Sequence, residues 1–129
     1  MILLVCGGRD YGDHKKIDRY LDAIHKKRGI ELIVTGGCSD RDRKSEAARR
    51  SNSADEIAEE WADLMCIPRC VFPANWRHLG RGAGPKRNSH MLRFIRPDGC
   101  AAFGGKKGTG DMVKKCKAAG VPVWEIDRE

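Results

Sequence analysis

Short apolar runs that each stop at glycine constrain this chain most. Residues 1–6 (MILLVC) end in Gly7 and Gly8. Residues 30–35 (IELIVT) end in Gly36 and Gly37, and residues 100–103 (CAAF) end in Gly104 and Gly105. The first run lacks polar alternation, which is the pattern of a strand buried on both faces, as in a parallel sheet. A shorter run at 69–72 and a last one at 121–126 complete the set.

Helical patterns fill the gaps. Asp13 can cap a helix to about Arg28, with Ile17, Leu21 and Ile24 as its apolar stripe, Tyr20 beside it and Gly29 at its end. Ser53 and Glu56 form a capping box. The helix they open is expected to bury Ile57, Trp61, Leu64 and Met65. Pro85 suits the first turn of a third helix, which carries Lys86, Arg87 and Asn88 near its start and Met91, Leu92 and Ile95 inward. A fourth helix starts near Thr109, uses Met112, Val113, Cys116 and Ala119, and closes at Gly120. Strands alternating with helices predict one α/β domain over residues 1–129. It is Rossmann-like and doubly wound, a mainly parallel sheet of about five strands with helices on both faces.

Right-handed crossovers place every strand's C-terminal end on one edge. Gly7, Gly8, Arg9 and Asp10, then Gly36 and Gly37, the 73–84 loop, and Gly104, Gly105 and Gly108 should therefore meet at one rim, where open α/β sheets bind ligands. Strand, glycine turn and helix start are together the recipe for a phosphate-binding loop. Glycines let backbone N–H groups approach an anion, and the helix start adds unsatisfied donors and a positive dipole end. Lys106 and Lys107 add countercharge. A turn that carries glycines for geometry alone is the competing reading at each place, and convergence of several weighs against it.

With 25 Lys and Arg against 18 Asp and Glu, the net charge is +7. That suits phosphate-bearing partners without requiring them. No segment approaches the roughly 20 apolar residues of a membrane span, and the first apolar run is too short for a signal peptide. A cytoplasmic chain without a membrane partner is the expectation. The six cysteines then read as thiols. Cys6, Cys70, Cys100 and Cys116 fall at buried positions, and Cys66 with Cys70 lacks a second ligand pair at zinc spacing. No metal and no cofactor is expected.

GGRDY, GG, ADEIAEEWA, FPANWRHLGRGAGPKRNSHML and GGKKGTGDM, in this order over almost the whole chain, resemble the SLOG superfamily (SMF/DprA and LOG). Within it they are most similar to the small stand-alone branch related to YspA and YpsA. The resemblance implies a Rossmann-like fold that binds, and in some members senses, nucleotides or derivatives such as those of NAD or ADP-ribose. GGKKGTGDM looks like the family's PGGxGTxDM. Gly104 replaces proline and Lys106 the second glycine, while Gly105, Gly108, Thr109 and Asp111 are kept. In LOG hydrolases, which cleave the N-glycosidic bond of nucleoside monophosphates, a glutamate closes this loop; Met112 stands there and cannot transfer a proton. Arg87 matches the LOG arginine, which implies a phosphate or ribose contact. Relatives read GGARGAD after the second strand. Here the polar, basic segment 39–52 intervenes before Asp55, a lid, a protein contact, a basic arm or a tolerated surface insertion.

The expected ligand set is Gly7, Gly8, Arg9, Asp10, Gly36, Gly37, Asp55, Lys86, Arg87, Asn88, Gly104, Gly105, Gly108, Thr109 and Asp111. Catalytic residues stay unassigned: Asp111, Asp10 and Glu56 could act as acid or base, but no pair is fixed by spacing. His78 and His90 lack a nucleophile at recognisable spacing. Trp76 is balanced between stacking on a base and pinning its loop, and Trp61 reads as core. Binding of a nucleotide-like small molecule is the leading reading. The alternatives are a LOG-like phosphoribohydrolase using a displaced carboxylate and, more weakly, DprA-like nucleic-acid binding through the 73–84 loop and the basic arm that carries Arg41, Arg43, Arg49 and Arg50. A homo-oligomer is left open.

Overall fold

A computed structural model describes residues 1–37, 53–74 and 80–128. Five strands form one all-parallel sheet: β1 (Ile2–Gly7), β2 (Leu32–Thr35), β3 (Arg69–Val71), β4 (Gly99–Phe103) and β5 (Val123–Ile126), in spatial order β3-β2-β1-β4-β5. Among the described residues four α-helices connect them: α1 (His14–Arg28), α2 (Ala54–Leu64), α3 (Ala83–Ile95) and α4 (Lys107–Ala118). The α/β, Rossmann-like architecture is as expected. Leu3 pairs with Ile33 on one side of β1 and Leu4 with Cys100 on the other.

Alternation along β1 explains the two layers. Leu3 and Val5 pack with Ile17, Leu21 and Ile24 of α1 and with Ile57, Ala58 and Trp61 of α2. Leu4 packs on the opposite face with Met91 of α3 and with Met112 and Cys116 of α4. The strand order reverses between β1 and β4, so the chain leaves these two neighbours toward opposite faces. That is the switch point at which an open α/β sheet leaves room for a ligand.

Local chemistry sets most helix ends. Asp13 accepts a hydrogen bond from Lys16 N (3.1 Å), and Ser53 accepts one from Glu56 N (3.1 Å). Gly29, at φ +67°, donates to the carbonyl of His25.

Several expectations need correction. Leu64 (84% exposed) and Met65 (42%) are not in the core. The buried stripe of α2 is Ala54, Ile57, Ala58, Trp61 and Ala62, and Ile67 fills the space below the helix end, its N–H bonded to the Ala62 carbonyl. Ala119 is exposed because α4 stops at Ala118. That helix begins at Lys107 rather than near Thr109, so Gly108 and Thr109 belong to its first turn. The loop expected over 73–84 is shorter: a 3₁₀ turn (Gly80–Gly82) precedes α3, with Pro85 in its first turn. The readings of segment 39–52 and its arginines, and of Trp76 and His78, lie outside the described residues.

The cysteines among the described residues are free thiols, with Cys100 and Cys116 buried and Cys66 exposed. Cys6 Sγ lies 3.8 Å from Cys100 Sγ. Hydrogen bonding to its two cysteine neighbours, with burial, pushes the Cys100 thiol up. Among the described residues no group of three His, Cys, Asp or Glu is placed to hold a metal ion, and no helix is long and apolar enough to cross a membrane.

Candidate functional site

The C-terminal edge of the sheet brings the glycine turns together through a continuous set of contacts. At its centre β1 and β4 end side by side. Gly8 N donates to the Phe103 carbonyl (3.0 Å), and a Cβ placed on Gly8 would lie 3.3 Å from Gly105 N. A Cβ on Gly7 would sit 2.3 Å from the Phe103 carbonyl oxygen and 2.6 Å from the Ala54 methyl. Gly7 is thus glycine because β4 and the start of α2 leave no room. The Gly8 carbonyl accepts from Ala54 N (3.0 Å), which seats the first turn of α2 on the end of β1. Asp55, 3% exposed, follows directly in that turn, where the positive end of the helix dipole favours a carboxylate. Arg9 is half-buried and Asp10 exposed beside this junction.

The turn after β4 differs from the others in what it leaves open. Gly104 and Gly105 take φ of +58° and +86°, where an L side chain is strained. At Gly105 a Cβ would also meet Thr109 Oγ1 at 2.1 Å, because the Thr109 side chain folds back over the turn. The first turn of α4 has no side-chain cap. Among the described residues, none accepts a hydrogen bond from the backbone N–H groups of residues 105–109. Lys106, Lys107 and Gly108 are exposed there, and a Cβ on Gly108 would meet nothing within 4 Å.

Asn88 links this turn to α3. Its Nδ2 donates to Gly108 O (3.3 Å) and Asp111 Oδ2 (3.0 Å), while its Oδ1 accepts from Arg87 Nε (2.9 Å). Asp111 also pairs with Lys115 (2.9 Å), and Lys115 reaches the Pro85 carbonyl (2.7 Å). Partial burial alone would raise the Asp111 carboxyl, but the hydrogen bonds from Lys115 and Asn88 and the nearby lysine charge hold it below the usual carboxylate range. Asp111 is an ionised strut between α3 and α4.

Arg87 continues the chain of contacts to β2. Its Nη1 donates to Gly36 O (2.6 Å) and Phe72 O (3.1 Å). A Cβ on Gly36 would fall 2.4 Å from that nitrogen, and one on Gly37 2.6 Å from Val71 Cγ1. The glycines after β2 therefore admit a guanidinium and the edge strand. Lys86 is exposed on the first turn of α3. Met112, at the position of the LOG glutamate, is 1% exposed and faces the core rather than the rim.

Three groups were invisible to sequence reasoning because their partners are far apart in the chain. Glu59, 9% exposed, accepts from Thr35 Oγ1 (3.1 Å) and Arg69 Nη1 (2.7 Å). Burial lifts its carboxyl above the usual value, against the pull of Thr35 and Arg69. Tyr11 lays its ring over Gly104, 5.7 Å from the Phe103 ring, and donates its hydroxyl to Asp127, which also pairs with Lys16 (2.8 Å). Burial, followed by the hydrogen bond to Asp127, drives the Tyr11 phenol well up. Arg128 donates to the carbonyls of Gly104 (2.6 Å) and Gly105 (3.5 Å). Only an already-formed β1-β4-β5 order brings residues 11, 104 and 128 together.

Residues 1–52 match the family model YAcAr, described as "YspA, cpYpsA-related SLOG family". The match covers β1, α1, β2 and their glycine turns; the turn after β4 lies beyond it. No curated protein matches the chain. Among solved structures, the phosphoribosylglycinamide formyltransferase (purN) in complex with CHES from Coxiella burnetii is similar at 14% identity and a TM-score of 0.41, over 82% of this chain. This chain spans 41% of that protein's length.

Proposed function

We propose that the rim between β1 and β4 binds a nucleotide or nucleotide-derived ligand by a phosphate group, a reading supported by the match of residues 1–52 to the YspA, cpYpsA-related SLOG family model. The observation that carries this reading is the run of backbone N–H groups at residues 105–109 that have no acceptor among the described residues, beside Gly8 at the switch point of the sheet. Consecutive N–H groups at a helix start, with Lys106 and Lys107 adjacent, are the kind of donor and charge that a phosphate takes. Asp55 and Asp10 stand on the β1 side of the same rim and suit the hydroxyls of a ribose. Arg87 and Asn88 support the site from behind, by holding Gly36 and Gly108.

Binding has more support than hydrolysis. A LOG-like reaction needs a carboxyl group ready to exchange a proton at the start of α4. Met112 lies in the core, and the Asp111 carboxylate is engaged by Asn88 and Lys115.

Titration calorimetry with AMP and with ADP-ribose tests the reading. The expected result is saturable binding that inorganic phosphate weakens by competition. Absence of heat with either compound at millimolar concentration would contradict it. Product analysis of the same samples separates the alternatives: free adenine would establish the hydrolase. Tighter binding of single-stranded DNA, falling steeply with salt, would establish the nucleic-acid reading.

A further inference from the structure

The turn after β4 is gripped by a residue remote in sequence. In a planar trans peptide the carbonyl of one residue and the N–H of the next point opposite ways, and the described residues contain no cis peptide bonds. Arg128 Nη1 donates to both the Gly104 and the Gly105 carbonyl, at 2.6 and 3.5 Å. The two peptide planes that follow are thereby turned so that the N–H groups of Gly105 and Lys106 face away from the guanidinium. Gly105 N is the atom that lies against Gly8 across the rim. The turn is held elsewhere too: Gly104 N donates to Ile126 O (2.8 Å), and the Tyr11 ring covers Gly104. Those contacts fix where the turn sits. Neither restrains the two carbonyls.

We propose that Arg128 is a positioning residue of the phosphate site, which orients the amides of Gly105 and Lys106 by gripping the carbonyls on the far side of the same peptides. This rests on the nucleotide-binding reading above. The Arg128 side chain is only 14% exposed, and Glu125 Oε1 steadies its Nε at 3.3 Å. Its Nη2 lies 3.5 Å from where a Cβ on Gly110 would stand, so the guanidinium runs along the first turn of α4. Glycine at 104 and 105 supplies the backbone freedom, and Arg128 selects one orientation from it.

The test compares wild type with Arg128→Met, Arg128→Gln and Glu125→Gln, using AMP and inorganic phosphate as probes. Binding is read by calorimetry, and the Gly105 and Lys106 amides by nitrogen-15 NMR. Arg128→Met should bind AMP at least about tenfold more weakly, the size expected for a lost pair of charge-assisted hydrogen bonds. Its Gly105 and Lys106 amide signals should move before any ligand is added. Arg128→Gln keeps a neutral donor for the carbonyls and should recover part of the affinity; a role through charge alone predicts no recovery. Glu125→Gln weakens the support of the guanidinium but leaves its two donors to the carbonyls, and should cost less affinity than Arg128→Met. Unchanged AMP affinity and unchanged amide signals in Arg128→Met would overturn the role of Arg128 while leaving the site intact. Wild type that ignores both AMP and phosphate would instead remove the site itself, and the positioning role with it. Should Arg128→Met fail to fold, the Arg128→Gln and Glu125→Gln pair carries the same comparison.

Discussion

After β2 the chain turns at Gly36 and Gly37 with the space already filled. The Arg87 guanidinium lies where a Gly36 side chain would go, and Val71 lies where a Gly37 side chain would go. After β4 it turns at Gly104 and Gly105 with the carbonyls held by Arg128, and the N–H groups of 105–109 have no acceptor among the described residues. Both turns read in sequence as an apolar run followed by two glycines. One is glycine so that neighbouring side chains can close on the backbone. The other is glycine so that the backbone can take a left-handed path. A glycine pair after a strand thus identifies close approach to the backbone, and only its surroundings tell whether protein or ligand makes that approach.

The comparison is most exposed to failure at Gly105. Alanine there faces both a φ of +86° and Thr109 Oγ1 at 2.1 Å. AMP affinity should drop by at least about tenfold, and stability by about 1–3 kcal/mol, the usual cost of overpacking. Calorimetry and thermal melting read the two separately. Next in size is Arg87→Ala, which strands the carbonyls of Gly36 and Phe72. A loss of about 2 kcal/mol in stability is expected, with a smaller change in affinity for the folded protein. The reverse balance would mean that Arg87 touches the ligand directly and that the two turns share one task.

Gly108→Ala sharpens the contrast from the other side. A Cβ there meets nothing within 4 Å and the residue is helical, so the variant should gain up to about 1 kcal/mol. Denaturant unfolding would detect it.

The smallest effects are in pH. The Asp111 carboxyl is held low, so its contribution is present above the ordinary carboxylate range and is lost as pH falls through its depressed value. Glu59 is raised by burial, so its contribution is complete below the ordinary glutamate range and is lost as pH rises through its raised value. Stability measured across the acid range should therefore flatten on the low side in Asp111→Asn and on the high side in Glu59→Gln. The same slope in both variants as in wild type would show that neither group is linked to folding.

Much of the fold was legible because its signals are local. The runs at Ile2, Leu32 and Gly99, the Asp13 and Ser53 caps, and Gly29 after α1 each lie within a few residues of the element they define. The failures were also local, at helix ends. Leu64 lies at a helical spacing from Ile57, yet Ile67 takes the core position after the chain turns back. The start of α4 was expected two residues late, because three glycines in a row of six hide a helix start. At the candidate rim, the meeting of the glycine turns could be expected from the sequence. Arg128, Tyr11 and Glu59 could not, since each meets its partner only across strands that the sheet order makes neighbours.

The most direct test of the central claim is a crystal structure with AMP bound. The account predicts the phosphate within about 3 Å of several backbone nitrogens among residues 105–109, with the Gly36 and Gly37 turn still closed by Arg87 and Val71. A phosphate seated instead against Gly36 and Gly37, with Arg87 withdrawn from the Gly36 carbonyl to meet it, would contradict the account.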